Sequence, residues 1–330
     1  MVSTISEFPK VQLGYLPTPL VELRRLSKWL GGPAIFMKRD DLTGLGLGGN
    51  KIRKLEFLLG EAIQQNCETV ITGGAVQSNH CRQTAASAAS VGLSCHLALG
   101  GTKPENPNGN LLLDYLFGAI IHWCGEKRKG EELPEISAQL RSEGHKTYII
   151  PYGGSNPVGA LGFVTAVAEV KEQLIAKSIT IDSIVFPSSS GGTHAGMVVG
   201  VDLYELKTKV IGIGIDQKDV TDNTYESELA NLANLLADKL GIGFKYEAQN
   251  FHVRKQYYGK GYGVMGDLER EAITIMAKYE GILLDPVYSG RAMGGLIDMI
   301  RKKEFSSNEN VLFWHTGGTP ALFDYARELI

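Results

Sequence analysis

Short β-branched and apolar runs that close on glycine alternate along this chain with longer stretches whose apolar positions recur every three or four residues. "ETVITGG" at 68–74, "LSCHLALGG" at 93–101, "AIIHWCG" at 119–125 and "KTYIIPYGG" at 146–154 form a first series of predicted strands. A second series follows in "DSIVFPSSSGG" at 182–192, "KVIGIGID" at 209–216 and "NVLFWHTGG" at 310–318. Helical patterns such as "TYESELANLANLLADKLG" at 224–241 lie between them. Near-continuous apolar strands separated by helices predict an α/β fold, with parallel sheets covered on both faces. In open parallel sheets ligands bind beyond the carboxyl ends of the strands, so the glycine-ended segments are where chemistry is sought. No period of 20 to 50 residues and no low-complexity tract interrupts the pattern.

One helix begins on two lysines. In "LGGNKIRKLEFLLGE" at 47–61, Ile52, Leu55, Leu58, Leu59, Ala62 and Ile63 keep the spacing of one apolar helical face, so a helix runs from about residue 51 with "GLGLGGN" as its lead-in. Lys51 and Lys54, three residues apart, share a face. Cations at a helix N-terminus oppose its dipole by roughly 0.3 to 1 kcal/mol each. A bound anion would offset that, and a desolvated lysine beside a second cation has the lowered pKa that nucleophilic attack on a carbonyl carbon needs. Two solvated surface lysines fit this stretch equally well.

Two further stretches carry candidate chemistry. In "FPSSSGGTHAGMVVG" at 186–200 a strand leads through serines and glycines into a helix, a turn able to aim several N–H groups and hydroxyls at a phosphate. It matches neither nucleotide-binding glycine motif, and such a loop also serves as a plain connection. A phosphate cradle together with a glycine-flanked lysine points to pyridoxal phosphate. In "TGGAVQSNHCRQTAASAASVG" at 72–92, Gln77, Ser78, Asn79 and His80 lie between a strand end and a small-residue helix, where they can meet a ligand carboxylate. Asn79 can hold a phenolic oxygen, and Ser78 or Asn79 can equally be an ordinary N-cap. His80 and Cys81 are adjacent, but neighbours on a helix diverge by about 100°, which disfavours a thiol–base pair.

Composition narrows the partners. The 330 residues are 43% hydrophobic, enough for a well-buried core, and the formal net charge of −3 contains no basic block. Neither nucleic acid nor a membrane surface is indicated, and a small molecule is expected. Cys67, Cys81, Cys95 and Cys124 form no CxxC pair and no finger-like spacing with histidines, so neither a disulfide framework nor a metal site is expected. "MVSTISEFPKVQLGYLPTPL" at 1–20 lacks a basic start followed by an apolar run, and a cytoplasmic protein is the expectation.

The motifs together are specific. "PTPL" at 17–20, "KRDD" at 38–41, "GGNKIRKLEF", "GAVQSNHCRQTA", "SSSGGTHAG", "GYGV", "LLDPVYSGRAM" and "WHTGGTPALF" occur in an order that resembles the D-cysteine desulfhydrase and 1-aminocyclopropane-1-carboxylate deaminase family. These are pyridoxal-phosphate enzymes of the tryptophan synthase β-like fold. The resemblance implies two open, twisted, mainly parallel sheets with the cofactor between domains: a small one of residues 52–161 and a large one of residues 1–51 and 162–330. It implies Lys51 as the Schiff-base lysine, with Lys54, Ser190, Gly191, Gly192 and Thr193 at the phosphate and Asn79 at the phenolic oxygen. Ser78 resembles the hydroxyl at the substrate carboxylate, and Gln77, Asn79 and Thr316 share that subsite. Tyr262 and Tyr288 resemble the two active-site tyrosines, Tyr288 and Ser289 lying beside the cofactor ring. Family members are generally homodimers.

A departure within the family bears on the reaction. In the deaminase branch, glutamate follows the tyrosine of "DPVY" and leucine follows the histidine of the last glycine loop, whereas here the residues are Ser289 and Thr316. A carboxylate at the pyridine nitrogen deepens the electron sink, and a hydroxyl does less. The resemblance therefore implies β-elimination of D-cysteine to pyruvate, hydrogen sulfide and ammonia. The alternatives are the deaminase, an L-cysteate sulfo-lyase or another β-eliminating lyase, and, outside enzymes, a cofactor carrier or phosphate-ligand binding protein.

Overall fold

The computed structural model describes residues 5–216 and 224–330. The first four residues of the amino-terminal stretch lie outside the described residues. All seven predicted strands form: β3 (Thr69–Ala75), β4 (Ser94–Gly100), β5 (Ile120–Trp123), β6 (Thr147–Ile149), β7 (Ser183–Ser188), β8 (Lys209–Gly214) and β10 (Asn310–His315). The pattern missed three: β1 (Leu20–Glu22), β2 (Ala34–Arg39) and β9 (His252–Arg254). Two of these are only three residues long, and β2 ends on Lys38 and Arg39. Lys38 is nevertheless fully buried, because its ammonium meets Glu169, a partner that local spacing cannot reveal.

The strands divide into two sheets. One has the order β1-β2-β10-β7-β8-β9 and the other β5-β4-β3-β6. Every pairing is parallel except β1 with β2, as the buried apolar runs require. The four-stranded sheet draws only on residues 69–149, and the six-stranded sheet takes strands from both sides of it in sequence.

Helix α2 (Lys51–Gln64) starts where the sequence placed it. Its Phe57 joins the core of the large sheet, while Leu55, Leu58, Leu59 and Ala62 join the core of the small one. Helix α1 (Arg24–Leu30) joins β1 to β2, α3 (Asn79–Ser90) follows β3, α4 (Gly109–Leu116) leads to β5, α5 (Leu133–Ser142) leads to β6, α6 (Pro157–Lys177) leads to β7, and α7 (Gly192–Leu203) follows β7. The helical pattern at 224–241 becomes Tyr225–Leu240, closed by left-handed Gly241. No helix among the described residues is long and apolar enough to cross a membrane.

Candidate active site

The carboxyl ends of β3, β6, β7 and β10 face the N-termini of α2, α3 and α7 across a cleft. Of the residues singled out in the sequence, Lys51, Ser78, Asn79, His80, Ser190, Gly191, Thr193, Tyr288 and Thr316 line it. Lys54, Gln77, Gly192, Tyr262 and Ser289 do not line it. Tyr152, Gly153 and His194 also line the cleft, and no motif had singled them out.

Around the serine–glycine turn the geometry suits an anion. Gly191, with φ 90°, turns the chain from β7 into α7, whose N-terminus meets the cleft through Gly191 and Thr193. Lys54 reaches the back of this turn, donating to the Gly153 carbonyl at 3.0 Å and to Ser155 Oγ at 3.2 Å. Ser155 Oγ in turn accepts from Gly192 N at 3.0 Å and donates to Ser190 Oγ at 2.8 Å. A Cβ on Gly192 would sit 2.9 Å from Lys54 Nζ, and one on Gly153 would sit 2.1 Å from Ser190 Oγ. Glycine at both places is what lets lysine and serine close in. Ser155 is thus the hub of this corner, and a lone serine in a loop gave no sequence signal for it.

Neither Lys51 nor Lys54 forms an ion pair with any described residue. Burial pushes the Lys51 amine down to about 8. Burial, and then the charge of Lys51, push Lys54 well below the ordinary lysine range. The same causes, burial first and then both lysines, hold His80 neutral, with its Nε2 on Thr72 Oγ1 at 2.9 Å and its Nδ1 unpartnered among the described residues. Cys81 is held as an inert thiol by burial, which removes the thiol–base reading.

At the start of α3, Ser78 is the N-cap and also lines the cleft. Its Oγ accepts from Cys81 N at 3.1 Å as an N-cap, which leaves the hydroxyl hydrogen free to donate into the cleft. Gln77 requires a correction as a substrate-subsite residue. Its side chain accepts from Asn110 N at 2.8 Å and donates to the Asn108 carbonyl at 3.1 Å, so it fastens the start of α4 and does not line the cleft.

On the opposite wall, the hydroxyls of Tyr262 and Tyr288 bond each other at 2.7 Å, and Tyr288 alone of the two reaches the cleft. Burial holds both phenols protonated, well above the ordinary range. The Arg128 guanidinium lies 4.2 Å over the Tyr262 ring and pairs with Asp216. Ser289 also departs from expectation. It is buried at the head of the helix Ser289–Arg301, where its Oγ donates to Asp285 Oδ1 at 2.6 Å and accepts from Asp285 N at 2.8 Å. Asp285, unnoticed in the sequence, also takes the N–H groups of Val287, Tyr288 and Ser289 at 3.1, 3.0 and 2.6 Å. Ser289 therefore closes a buried carboxylate's shell and does not present its hydroxyl to the cleft.

A buried and a half-buried lysine beside a helix N-terminus, neither paired with an acid among the described residues, fit a phosphate, and Lys51, the lysine of the two that lines the cleft, fits an aldehyde carbon. The profile of the family described as "Pyridoxal-phosphate dependent enzyme" matches residues 11–317. The solved structure of an ACC deaminase homologue is similar over 98% of this chain and 96% of its own, at 38% identity and a TM-score of 0.89. The processed form of threonine deaminase isoform 2 from Solanum lycopersicum shares the fold at 17% identity, with 99% and 84% covered and a TM-score of 0.67. Escherichia coli diaminopropionate ammonia lyase in its apo form does so at 14% identity, with 96% and 87% covered and a TM-score of 0.69. The architecture is that of fold type II, the cofactor is pyridoxal 5′-phosphate, and the chain belongs to the pyridoxal-phosphate-dependent enzymes.

Proposed function

We propose that the protein eliminates the β-substituent of D-cysteine, giving pyruvate, hydrogen sulfide and ammonia. The observation that carries this reading is that no aspartate or glutamate is among the described residues lining the cleft. Bound pyridoxal 5′-phosphate supplies an electron sink for charge developing at the substrate Cα. Without a carboxylate partner that sink is shallower, which suits expulsion of a good thiolate leaving group better than opening of an unactivated cyclopropane.

In this reading Lys51 would hold the cofactor through its amine, and the same amine, when free, would take the substrate Cα proton. With a pKa of about 8, roughly a tenth of such an amine is neutral at pH 7, against on the order of one in three thousand for an ordinary lysine. Lys54, Ser190, Gly191, Gly192 and Thr193 hold the phosphate, and Asn79 holds the phenolic oxygen. The Ser78 hydroxyl and the first N–H groups of α3 hold the substrate carboxylate, with Thr316 on the facing wall. Tyr288, kept protonated and backed by Tyr262, stands ready to give the departing sulfur its proton. The Cα–H and Cβ–S bonds break, the sulfur leaves with its electron pair, and one water is consumed when the resulting imine hydrolyses to pyruvate and ammonia.

Residues 52–161 act as the small domain against 1–51 and 162–330, and the enzyme works in the cytoplasm as a homodimer. The pairing is supported by exposed Leu112, Leu116 and Ile120 along α4 and edge strand β5, beside exposed Phe323, whose carbonyl takes a bond from Asn108 at 3.0 Å.

The similarity to an ACC deaminase homologue favours one second reading, deamination of 1-aminocyclopropane-1-carboxylate. The two separate by product. With β-substituted D- and L-amino acids, pyruvate release should be fastest from D-cysteine, and 1-aminocyclopropane-1-carboxylate should yield little 2-oxobutyrate. Efficient 2-oxobutyrate formation by the unaltered protein overturns the proposal.

A further inference from the structure

Asn79 reaches the cleft with an amide whose two ends are chemically opposite, and the residues behind it decide which end faces inward. Asn110, in the first turn of α4, is fully buried. Arg82 Nε lies 2.9 Å from Asn110 Oδ1, and since a guanidinium can only donate, that atom is the amide oxygen. Asn110 Nδ2 lies 2.9 Å from the backbone carbonyl of Gln77, which can only accept. Two neighbours of fixed polarity thus set the Asn110 amide without ambiguity. The second hydrogen on Asn110 Nδ2 points to Asn79 Oδ1 at 2.8 Å. Asn79 therefore has its oxygen engaged from behind and its N–H₂ left over, close enough to the last glycine loop that a Cβ on Gly318 would sit 2.5 Å from it.

We infer that Arg82 and Asn110 are positioning residues that hold Asn79 as a hydrogen-bond donor toward an acceptor oxygen of the bound cofactor. The inference deepens, and rests on, the assignment of Asn79 to the phenolic oxygen. A flipped Asn79 would set its oxygen against that acceptor and its N–H against the N–H of Asn110, so the relay disfavours the flip at both ends. The relay also starts on a cation. Charge at Arg82 polarises each amide in turn and strengthens the terminal donor. The same guanidinium donates through Nη1 to the carbonyls of Gly46 and of Gly48, the latter at 2.9 Å. One arginine therefore fixes both the donor at the cofactor and the glycine lead-in that delivers Lys51.

Asn110→Asp tests this, because aspartate keeps the shape and the Arg82 contact but has no N–H to give Asn79. Cofactor retention is measured by titrating the apoprotein with pyridoxal 5′-phosphate, and the bound cofactor's visible absorbance band is followed against pH. Asn110→Asp should weaken retention about tenfold, the scale of one lost hydrogen bond to a charged group, and should move the band's titration midpoint upward, since an oxygen deprived of a donor holds a proton more tightly. In an Asn79→Ala background the same change should alter neither quantity further. Asn110→Ala removes the same donor without burying a new charge and carries the test if the aspartate variant does not fold. Equal losses in the wild-type and Asn79→Ala backgrounds overturn the relay while leaving Asn79 in place. An Asn79→Ala protein with unchanged retention and an unchanged band overturns the assignment of Asn79, and the relay with it.

Discussion

Arg53 and Lys54 are neighbours on α2, yet the guanidinium of one meets two carboxylates and the ammonium of the other meets none. Arg53 donates to Asp40 at 2.8 Å twice and to both oxygens of Glu169 at 2.9 Å. Lys38 also pairs with Glu169, and Trp314 Nε1 gives Asp40 a further bond at 2.7 Å. Two cations and two anions thus close on themselves in the space between α2, α6 and β2. On the other face Lys54 is buried with a carbonyl and a hydroxyl for company, and Lys51 stands half-buried at the cleft. Burial makes any unpaired charge costly, so a helix that solves the problem with acids on one side and leaves it open on the other marks the open side as the ligand's. The pKa directions agree. Burial raises Glu169, but Arg53 and then Lys38 outweigh it and hold the carboxyl down to about 2, whereas nothing opposes burial at Lys51.

The comparison can be broken at either face. The largest effect is expected at the open one: Lys51→Ala should cut steady-state turnover by on the order of a thousandfold or more while the chain stays folded, since the anchor and the base are one amine. Borohydride reduction followed by peptide mapping checks it, and a reduced pyridoxyl group on Lys54 would show that the wrong lysine had been chosen. On the closed face, Glu169→Ala leaves Arg53 and Lys38 facing fewer acids. It should cost about 3 to 5 kcal/mol of folding stability with cofactor affinity nearly unchanged. The paired Glu169 contributes stability that is present above its ordinary pKa of 4.5 and is lost as pH falls from there toward about 2. Denaturant midpoints of wild type and Glu169→Gln should therefore draw together as pH falls from 4.5 toward about 2, and parallel curves would show that the carboxylate is not held as described. Smallest is the anion corner. Lys54→Ala or Thr193→Ala should weaken cofactor retention by about 1 to 3 kcal/mol, with activity restored by added cofactor. A fall in turnover at saturating cofactor would remove these residues from the phosphate.

What could be read from the sequence follows the same division. Parallel strands buried on both faces announce themselves as apolar runs, and helix starts that meet ligands carry glycine, serine and threonine, so β3, β7, β10 and the turns after them were legible. Features that depend on distant partners were not. Lys38 makes β2 look like the end of a strand until Glu169 is placed beside it. Ser155, Asn110 and Asp285 act through hydrogen bonds to residues tens of positions away or to backbone groups, and their own neighbourhoods carry no periodicity. Gln77 and Ser289 show the reverse failure. Each stands next to a cleft residue in sequence, but the turn of the chain rotates its side chain onto a buried partner, Asn110 for one and Asp285 for the other.

The place of β10 has a consequence for how the chain is made. It is the last strand in sequence, yet it lies between β2 and β7 and bonds to both. Until residues 310–315 leave the ribosome, the amino-terminal pair β1-β2 has no parallel neighbour to join, and Thr316 and the glycine loop that complete the cleft do not exist. A nascent chain stopped before this point holds two unjoined fragments of the larger sheet, β1-β2 and β7-β8-β9, with open edges, so the need for protection from aggregation lasts until β10 is inserted between them.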